Sequence, residues 1–183
     1  SNGVNETVIT LKDDKYPVTV KLHYVAYGKE NIIRAFSEIS HEEKKPVILC
    51  KYASSMLHLN SSKYFLTEFS GDWAHEANVT ERELAFGKKV IDTKLGARAN
   101  MFVSPFFQLA LDNPSQENAG EVLVGTIGWT GNFRFTFEVD NKNELRIISG
   151  INPYDSEYSL PAKEVFRTPD FYFTYSTQGK GEA

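Results

Sequence analysis

Apolar and polar side chains alternate along most of this chain. The clearest case is segment 133–139, FRFTFEV, whose apolar residues all fall on one face of an extended strand. These residues are Phe133, Phe135, Phe137 and Val139. Alternation with a period of two predicts a strand with one buried face. The polar turn 140–143 follows, so segment 144–151 is predicted to return as the second strand of a hairpin.

The same alternation recurs throughout the sequence. Many short strands separated by polar turns are typical of an antiparallel sandwich. Segment 30–37 is the best helix candidate, but its β-branched residues and short length favour a strand. We therefore predict one all-β domain, an antiparallel β-sandwich of roughly a dozen strands with little helix. The further strands are predicted over 7–11, 18–27, 31–40, 47–59, 63–68, 78–85, 88–92, 106–111, 122–129 and 165–175.

Composition narrows the possible partners. The 183 residues are enough for one domain with a sizeable core, and the 13% aromatic content favours sheet over helix. The net charge of −4 argues against a nucleic acid partner, because phosphate binding depends on clustered Lys and Arg. No apolar run approaches the ~20 residues that span a bilayer, so no membrane partner is predicted. The sequence indicates no particular compartment.

The residue spacing predicts no catalytic nucleophile, no metal site and no cofactor. The four histidines are far apart, and neither a GxSxG motif nor a glycine-rich phosphate loop occurs. Gly125 and Gly128 lie within a strand segment, where glycine predicts a bulge or a close backbone approach. Cys50 lies in the apolar segment 46–52, so we expect a buried structural thiol.

The two tryptophans differ in their surroundings. Trp73 lies in the glycine-preceded loop 71–76, GDWAHE, beside Asp72. An aromatic ring next to polar side chains is typical of a sugar-binding site, but a loop tryptophan is also a common packing anchor at a sandwich edge. These residues alone leave both interpretations open. Trp129 is flanked by Gly128 and Gly131, and we expect it to pack in the core or in a turn.

Several motifs carry a family resemblance. They are GEV at 120–122, TGNF at 130–133, GINP at 150–153, FRTP at 166–169 and YSTQG at 175–179. In this order they resemble the N-terminal domain of bacterial α-galactosidases of glycoside hydrolase family 36. The GDW of 71–73 is similar to the family's G-x-W loop. Segment 95–106 resembles a further segment of the family. In this chain its small polar residues and its histidine are replaced by Ala97, Ala99, Asn100 and Met101.

The resemblance implies a fold of the supersandwich type, and it implies that catalysis and substrate contact are divided between two domains. The family's retaining enzymes remove terminal α-galactose from oligosaccharides of the raffinose and melibiose kind, using two aspartates of a (β/α)8 barrel. The barrel's K-W-D-x-N motif does not occur here, so the resemblance implies no catalytic residue in this chain. It implies instead that the domain packs on the barrel and lends Trp73 to the galactose site. Asp72, Arg98 and Asn100 are further candidate contacts.

Two expectations concern the extent of the chain. We interpret Ser1 and Asn2 as the remnant of a removed affinity tag, which leaves 3–183 as one sandwich domain. By the same resemblance we expect preceding strands and the barrel to be absent, so that unpaired sheet edges and apolar faces are exposed. Self-association into a homo-oligomer would follow.

Two alternative functions stay open at this point. One is an autonomous carbohydrate-binding module, with Trp73, Tyr154 and Tyr158 as a stacking platform for sugar rings. The other is a domain whose role is interaction or oligomerisation alone.

Overall fold

The computed structural model describes residues 3–72, 75–98 and 101–183, without the side chains of 75–77 and 97. Within this part, fifteen strands and one 3-10 turn, Gly96–Arg98, form the domain, and no helix is long and apolar enough to cross a membrane. The predicted all-β class is confirmed. The strands are β1 (Val4–Lys12), β2 (Val18–Tyr27), β3 (Ile32–His41), β4 (Val47–Leu49), β5 (Ser55–Asn60), β6 (Tyr64–Asp72), β7 (His75–Glu83), β8 (Gly87–Asp92), β9 (Val103–Leu111), β10 (Glu121–Ile127), β11 (Phe133–Val139), β12 (Glu144–Ile151), β13 (Tyr158–Leu160), β14 (Val165–Arg167) and β15 (Phe171–Ser176).

Two antiparallel sheets pack face to face. The large sheet has nine strands in the order β1-β2-β3-β15-β10-β9-β6-β7, with β14 also pairing with β3. The small sheet has the order β5-β12-β11-β8, and β13 and β4 form a separate two-stranded ribbon. The predicted hairpin forms the centre of the small sheet, with Phe133 opposite Ile151 and Val139 opposite Leu145.

Aromatic rings fill the space between the two sheets. Phe133, Phe135 and Phe137 are at most 1% exposed, which confirms the inward face predicted from their alternation. The Phe107 ring from β9 meets the Phe135 ring edge-on at 5.1 Å and the Phe137 ring at 4.9 Å. Gly125 of β10 lies directly beneath Phe107, because an added Cβ would be 2.6 Å from that ring. The predicted close backbone approach is confirmed at this glycine.

The large sheet extends beyond this core at β1. Every residue of β1 is exposed, and the main core cluster contains no residue of β1, β2 or β3. Val8, Ile9 and Leu11 keep 45%, 45% and 50% of their surface in contact with solvent. The domain therefore presents an edge strand with apolar side chains on both faces.

The structure corrects two local predictions. Cys50 is exposed, so the prediction of a buried thiol is wrong. The range 47–59 is not one strand: β4 ends at Leu49 after three residues and β5 begins at Ser55, which leaves Cys50 in the connection. The range 165–175 is likewise divided, since β14 ends at Arg167 and β15 begins at Phe171, with Pro169 in the connection.

Trp129 is not a core residue. Its side chain is 40% exposed, just beyond the end of β10. Its indole nitrogen lies 2.7 Å from where a Cβ on Gly131 would be placed. Of the two expected locations, the structure therefore supports packing in the turn.

Candidate functional site

The first candidate residue, Asp72, ends strand β6. The hairpin of β6 and β7 closes with Asp72 opposite His75, and Asp72 is exposed. Trp73, the main sugar-contact candidate, follows Asp72 directly and lies outside the described residues.

Strand β6 is irregular where it approaches Asp72. Its register against β9 shifts between Glu68 and Ser70, and its register against β7 shifts between Ser70 and Asp72. Bulges of this kind re-aim side chains and are frequent beside functional sites. Because two such irregularities occur within five residues, the direction in which the hairpin end points depends on the local geometry of β6.

The second candidate, Arg98, lies in a segment bonded to the same hairpin. Arg98 is exposed at the end of the 3-10 turn, and its carbonyl accepts a hydrogen bond from the Met101 amide at 3.1 Å. The carbonyl of Phe102 then accepts one from the Gly71 amide at 3.0 Å. The structure thus brings the segments that carry Arg98 and Asp72 together, whereas Asn100 lies outside the described residues.

A polar cluster that the sequence analysis missed fixes the start of this segment. Asn132 accepts a hydrogen bond from the Gly96 amide at 2.7 Å. The side-chain amide of Asn152 donates to the Thr93 carbonyl at 2.9 Å and to the Asp92 carboxylate at 3.3 Å. Arg134 donates twice to the same Asp92 oxygen, at 3.0 and 2.6 Å. The only sequence signal was that both asparagines belong to family motifs.

The tyrosines of the alternative stacking platform have protein partners. Tyr154 is 59% exposed, and the Lys94 ammonium lies 4.3 Å from its ring centre. Tyr158 is 39% exposed, with its ring tilted against Phe166 at 4.6 Å. Each tyrosine therefore already has one side occupied, which reduces the area that a sugar ring would cover.

The carboxyl groups of the described part are held in the ionised form wherever their pKa is shifted. Hydrogen bonding to Lys88 lowers the pKa of Glu138, and side-chain hydrogen bonds from Ser61 and Ser62 lower the pKa of Asp112. Backbone amides lower the pKa of Asp13 and Asp140. A proton donor in catalysis needs the opposite shift. Within the same residues, no group of three or more His, Cys, Asp or Glu side chains is arranged to hold a metal ion.

Comparison with known proteins establishes the family. The family model of the glycosyl hydrolase family 36 N-terminal domain matches residues 1–161. The chain belongs to this family. α-Galactosidase AgaA of Geobacillus stearothermophilus is 30% identical over 171 residues, which is 93% of this chain and 23% of that enzyme. α-Galactosidase 2 of Pediococcus pentosaceus is 28% identical over 96% of this chain and 24% of its own length.

Solved structures of α-galactosidases share the fold closely. The α-galactosidase from Lactobacillus brevis superposes with a TM-score of 0.91 at 26% identity, over 99% of this chain and 24% of that one. The crystal structure of AgaA gives 0.90 at 29% identity, over 97% and 24%. The chain therefore spans about a quarter of the length of the α-galactosidases that it matches and corresponds to their N-terminal domain.

A more distant similarity concerns the fold alone. A galactose mutarotase related enzyme from Lactobacillus acidophilus superposes with a TM-score of 0.51 at 9% identity, over 98% of this chain and 70% of that enzyme.

Proposed function

We propose that this chain is the non-catalytic N-terminal domain of an α-galactosidase that hydrolyses terminal α-galactosides by a retaining mechanism. The observation that carries the proposal is the match of 97% of the chain, at a TM-score of 0.90, to 24% of a solved α-galactosidase. The proposal assigns the catalytic (β/α)8 barrel to the remaining three quarters of such an enzyme. In this proposal the barrel belongs to the same polypeptide and is the partner on which the sandwich packs.

The carboxyl groups of the chain support a non-catalytic role. A retaining glycosidase needs one ionised nucleophile and one protonated acid, about 5–5.5 Å apart. Glu138 is paired with both Lys88 and Arg146, at 3.2 and 3.0 Å. Hydrogen bonding to Lys88 and the charge of Arg146 lower the pKa of Glu138 and favour its charged form, which does not suit a proton donor.

The hairpin end supports a role in sugar binding. Asp72 and Arg98 lie on segments joined by the hydrogen bond from Gly71 to Phe102, and Trp73 follows Asp72 in the chain. We propose that Trp73 walls the galactose pocket of the barrel, with Asp72, Arg98 and Asn100 as polar contacts. AgaA variants have been solved in complex with raffinose and stachyose, so the proposed substrates are α-galactosyl oligosaccharides of this kind.

Steady-state kinetics of the intact α-galactosidase test this role. Trp73→Ala should raise KM for raffinose by about tenfold while kcat changes little, because the substitution removes a sugar contact and leaves the barrel aspartates in place. Phe86→Ala serves as the control, since Phe86 is 76% exposed and follows the end of β7 that is remote from Asp72, so KM should be unchanged. An unchanged KM in Trp73→Ala would contradict the proposed role of the loop.

A further inference from the structure

Two asparagines at one end of the small sheet hold the segment that leads to Arg98. Asn132 directly precedes β11, and Asn152 directly follows β12. The side-chain oxygen of Asn132 accepts a hydrogen bond from the Gly96 amide at 2.7 Å. Asn152 donates its side-chain amide to the Thr93 carbonyl at 2.9 Å. The two side chains therefore fix both ends of segment 93–96.

The side-chain amide, the side-chain oxygen and the backbone amide of Asn152 are all engaged by protein atoms. The residue is fully buried, at 0% exposure. Its side-chain oxygen accepts from the Tyr154 amide at 3.1 Å, and its backbone amide donates to the Asn132 carbonyl at 2.9 Å. A buried polar side chain with complete partners specifies one arrangement, because any displacement leaves groups without a partner.

Hydrogen bonds between described residues connect this pair with the β6–β7 hairpin. Segment 93–96 continues into the 3-10 turn that ends at Arg98, and the Arg98 carbonyl accepts from the Met101 amide at 3.1 Å. The next residue, Phe102, accepts from the Gly71 amide at 3.0 Å. These hydrogen bonds therefore connect Asn132 and Asn152 with Gly71, the residue immediately before Asp72.

We propose that Asn132 and Asn152 are positioning residues for the candidate sugar contacts Arg98 and Asp72, acting through residues 93–98 and the hydrogen bonds made by Met101 and Phe102. This inference rests on the proposed function of the hairpin. It gives a role to the asparagines of the TGNF and GINP motifs, which lie 59 and 79 residues beyond Trp73 in the sequence and belong to the opposite sheet.

The two asparagines use opposite halves of their side chains, which makes one substitution informative at both positions. Asn132 holds Gly96 through its oxygen, so Asn132→Asp keeps the acceptor. Asn152 holds Thr93 and Asp92 through its amide group. In Asn152→Asp, an oxygen would face the Thr93 carbonyl and the Asp92 carboxylate. The same isosteric change should therefore be tolerated at Asn132 and not at Asn152.

A third asparagine provides a matched control at the other end of the small sheet. Asn143 lies in the turn between β11 and β12, and its side-chain amide donates to the carbonyls of Ser61 and Ser62 at 2.9 and 3.0 Å. Asn143→Asp removes two amide donors, as Asn152→Asp does. Asn143→Asp should lower the stability of the domain without changing the structure of the β6–β7 hairpin.

The test measures kcat and KM for raffinose in the intact α-galactosidase and amide hydrogen exchange in the 183-residue chain. Asn152→Asp and Asn132→Ala should raise KM by about tenfold, with kcat within about twofold of wild type. They should also accelerate exchange of the Gly96 and Gly71 amides. Asn132→Asp and Asn143→Asp should leave both readouts at the wild-type level.

Each contrary result has a defined meaning. Equal KM values for Asn152→Asp and Asn143→Asp, or unchanged exchange at Gly71 in Asn132→Ala, would overturn the positioning role. If Asn152→Asp does not fold, the comparison of Asn132→Ala with Asn132→Asp decides the question by itself. A Trp73→Ala variant with normal KM would instead overturn the proposed function, which separates the two failures.

Discussion

Gly125 allows the two sheets to approach each other, and replacing it with alanine tests how tightly the core is packed. A Cβ at this position would lie 2.6 and 2.7 Å from two ring carbons of Phe107 and 2.8 Å from a ring carbon of Phe171. Non-bonded carbons rest at about 3.5–4.0 Å, so these rings would have to retreat by roughly 0.7–0.9 Å to reach even the lower limit. Both phenylalanines are 0% exposed, so no solvent-filled space is available to them.

The expected cost follows from this overlap. Overpacking a well-filled core costs about 1–3 kcal/mol. For a domain of this size each kcal/mol lowers Tm by roughly 2–4 °C, so Gly125→Ala should lower Tm by roughly 2–12 °C in differential scanning calorimetry. Gly128→Ala is the matched control: its Cβ would meet its nearest neighbour, the Tyr172 ring, at 3.4 Å, and Tm should change little.

A double mutant identifies the cause of the loss. Phe107→Leu removes ring atoms that the new Cβ meets, so Gly125→Ala should cost less in the Phe107→Leu background than in the wild type. An unchanged Tm in Gly125→Ala, or losses of Tm that simply add in the double mutant, would refute tight packing between Gly125 and Phe107.

Three further predictions concern the surface. Hydrogen bonds from Ser61 and Ser62 lower the pKa of Asp112, so the stability that Asp112 contributes is present above its unfolded pKa near 3.8 and is lost as pH falls through its folded pKa. Asp112→Asn should therefore lower Tm at pH 6, and the Tm values of the variant and the wild type should converge at strongly acidic pH. A difference in Tm that stays constant with pH would contradict this. Cys50 should react with a thiol reagent in the native protein at the rate of an exposed thiol, and reaction only after denaturation would contradict its exposure. Edge strand β1 should cause concentration-dependent association in light scattering, weakened by Ile9→Lys, whereas a monomer at every concentration would refute it.

The sequence was most informative where structure is local. Phe133, Phe135 and Phe137 alternate with polar residues and point into the core, because the pleat of a strand alone decides which side chains share a face. Cys50 shows the limit of this reasoning. The apolar segment around it resembles a buried strand, but among the described residues β4 pairs with β13, about a hundred residues later in the chain, and this pairing includes only Val47, Ile48 and Leu49.

The candidate site was less predictable from the sequence, because contacts between distant residues decide its structure. Asn132 reaches Gly96 and Asn152 reaches Asp92, contacts between residues 36 and 60 positions apart that no local pattern encodes. Their motifs were recognisable, but the direction of their hydrogen bonds follows only from how the sheets pack. Asp72 and Arg98 were selected by resemblance, and the bond from Gly71 to Phe102 shows that their segments are neighbours.

The central claim is that the chain assists an α-galactosidase without performing the chemistry itself. Its most direct test is the hydrolysis of a chromogenic α-galactoside by the purified 183-residue chain at high concentration. We expect no turnover above the buffer rate, because the chain matches only the N-terminal quarter of an α-galactosidase and the proposed function assigns both catalytic aspartates to the barrel. Turnover that disappears when one carboxylate of the chain is replaced by its amide would contradict the account.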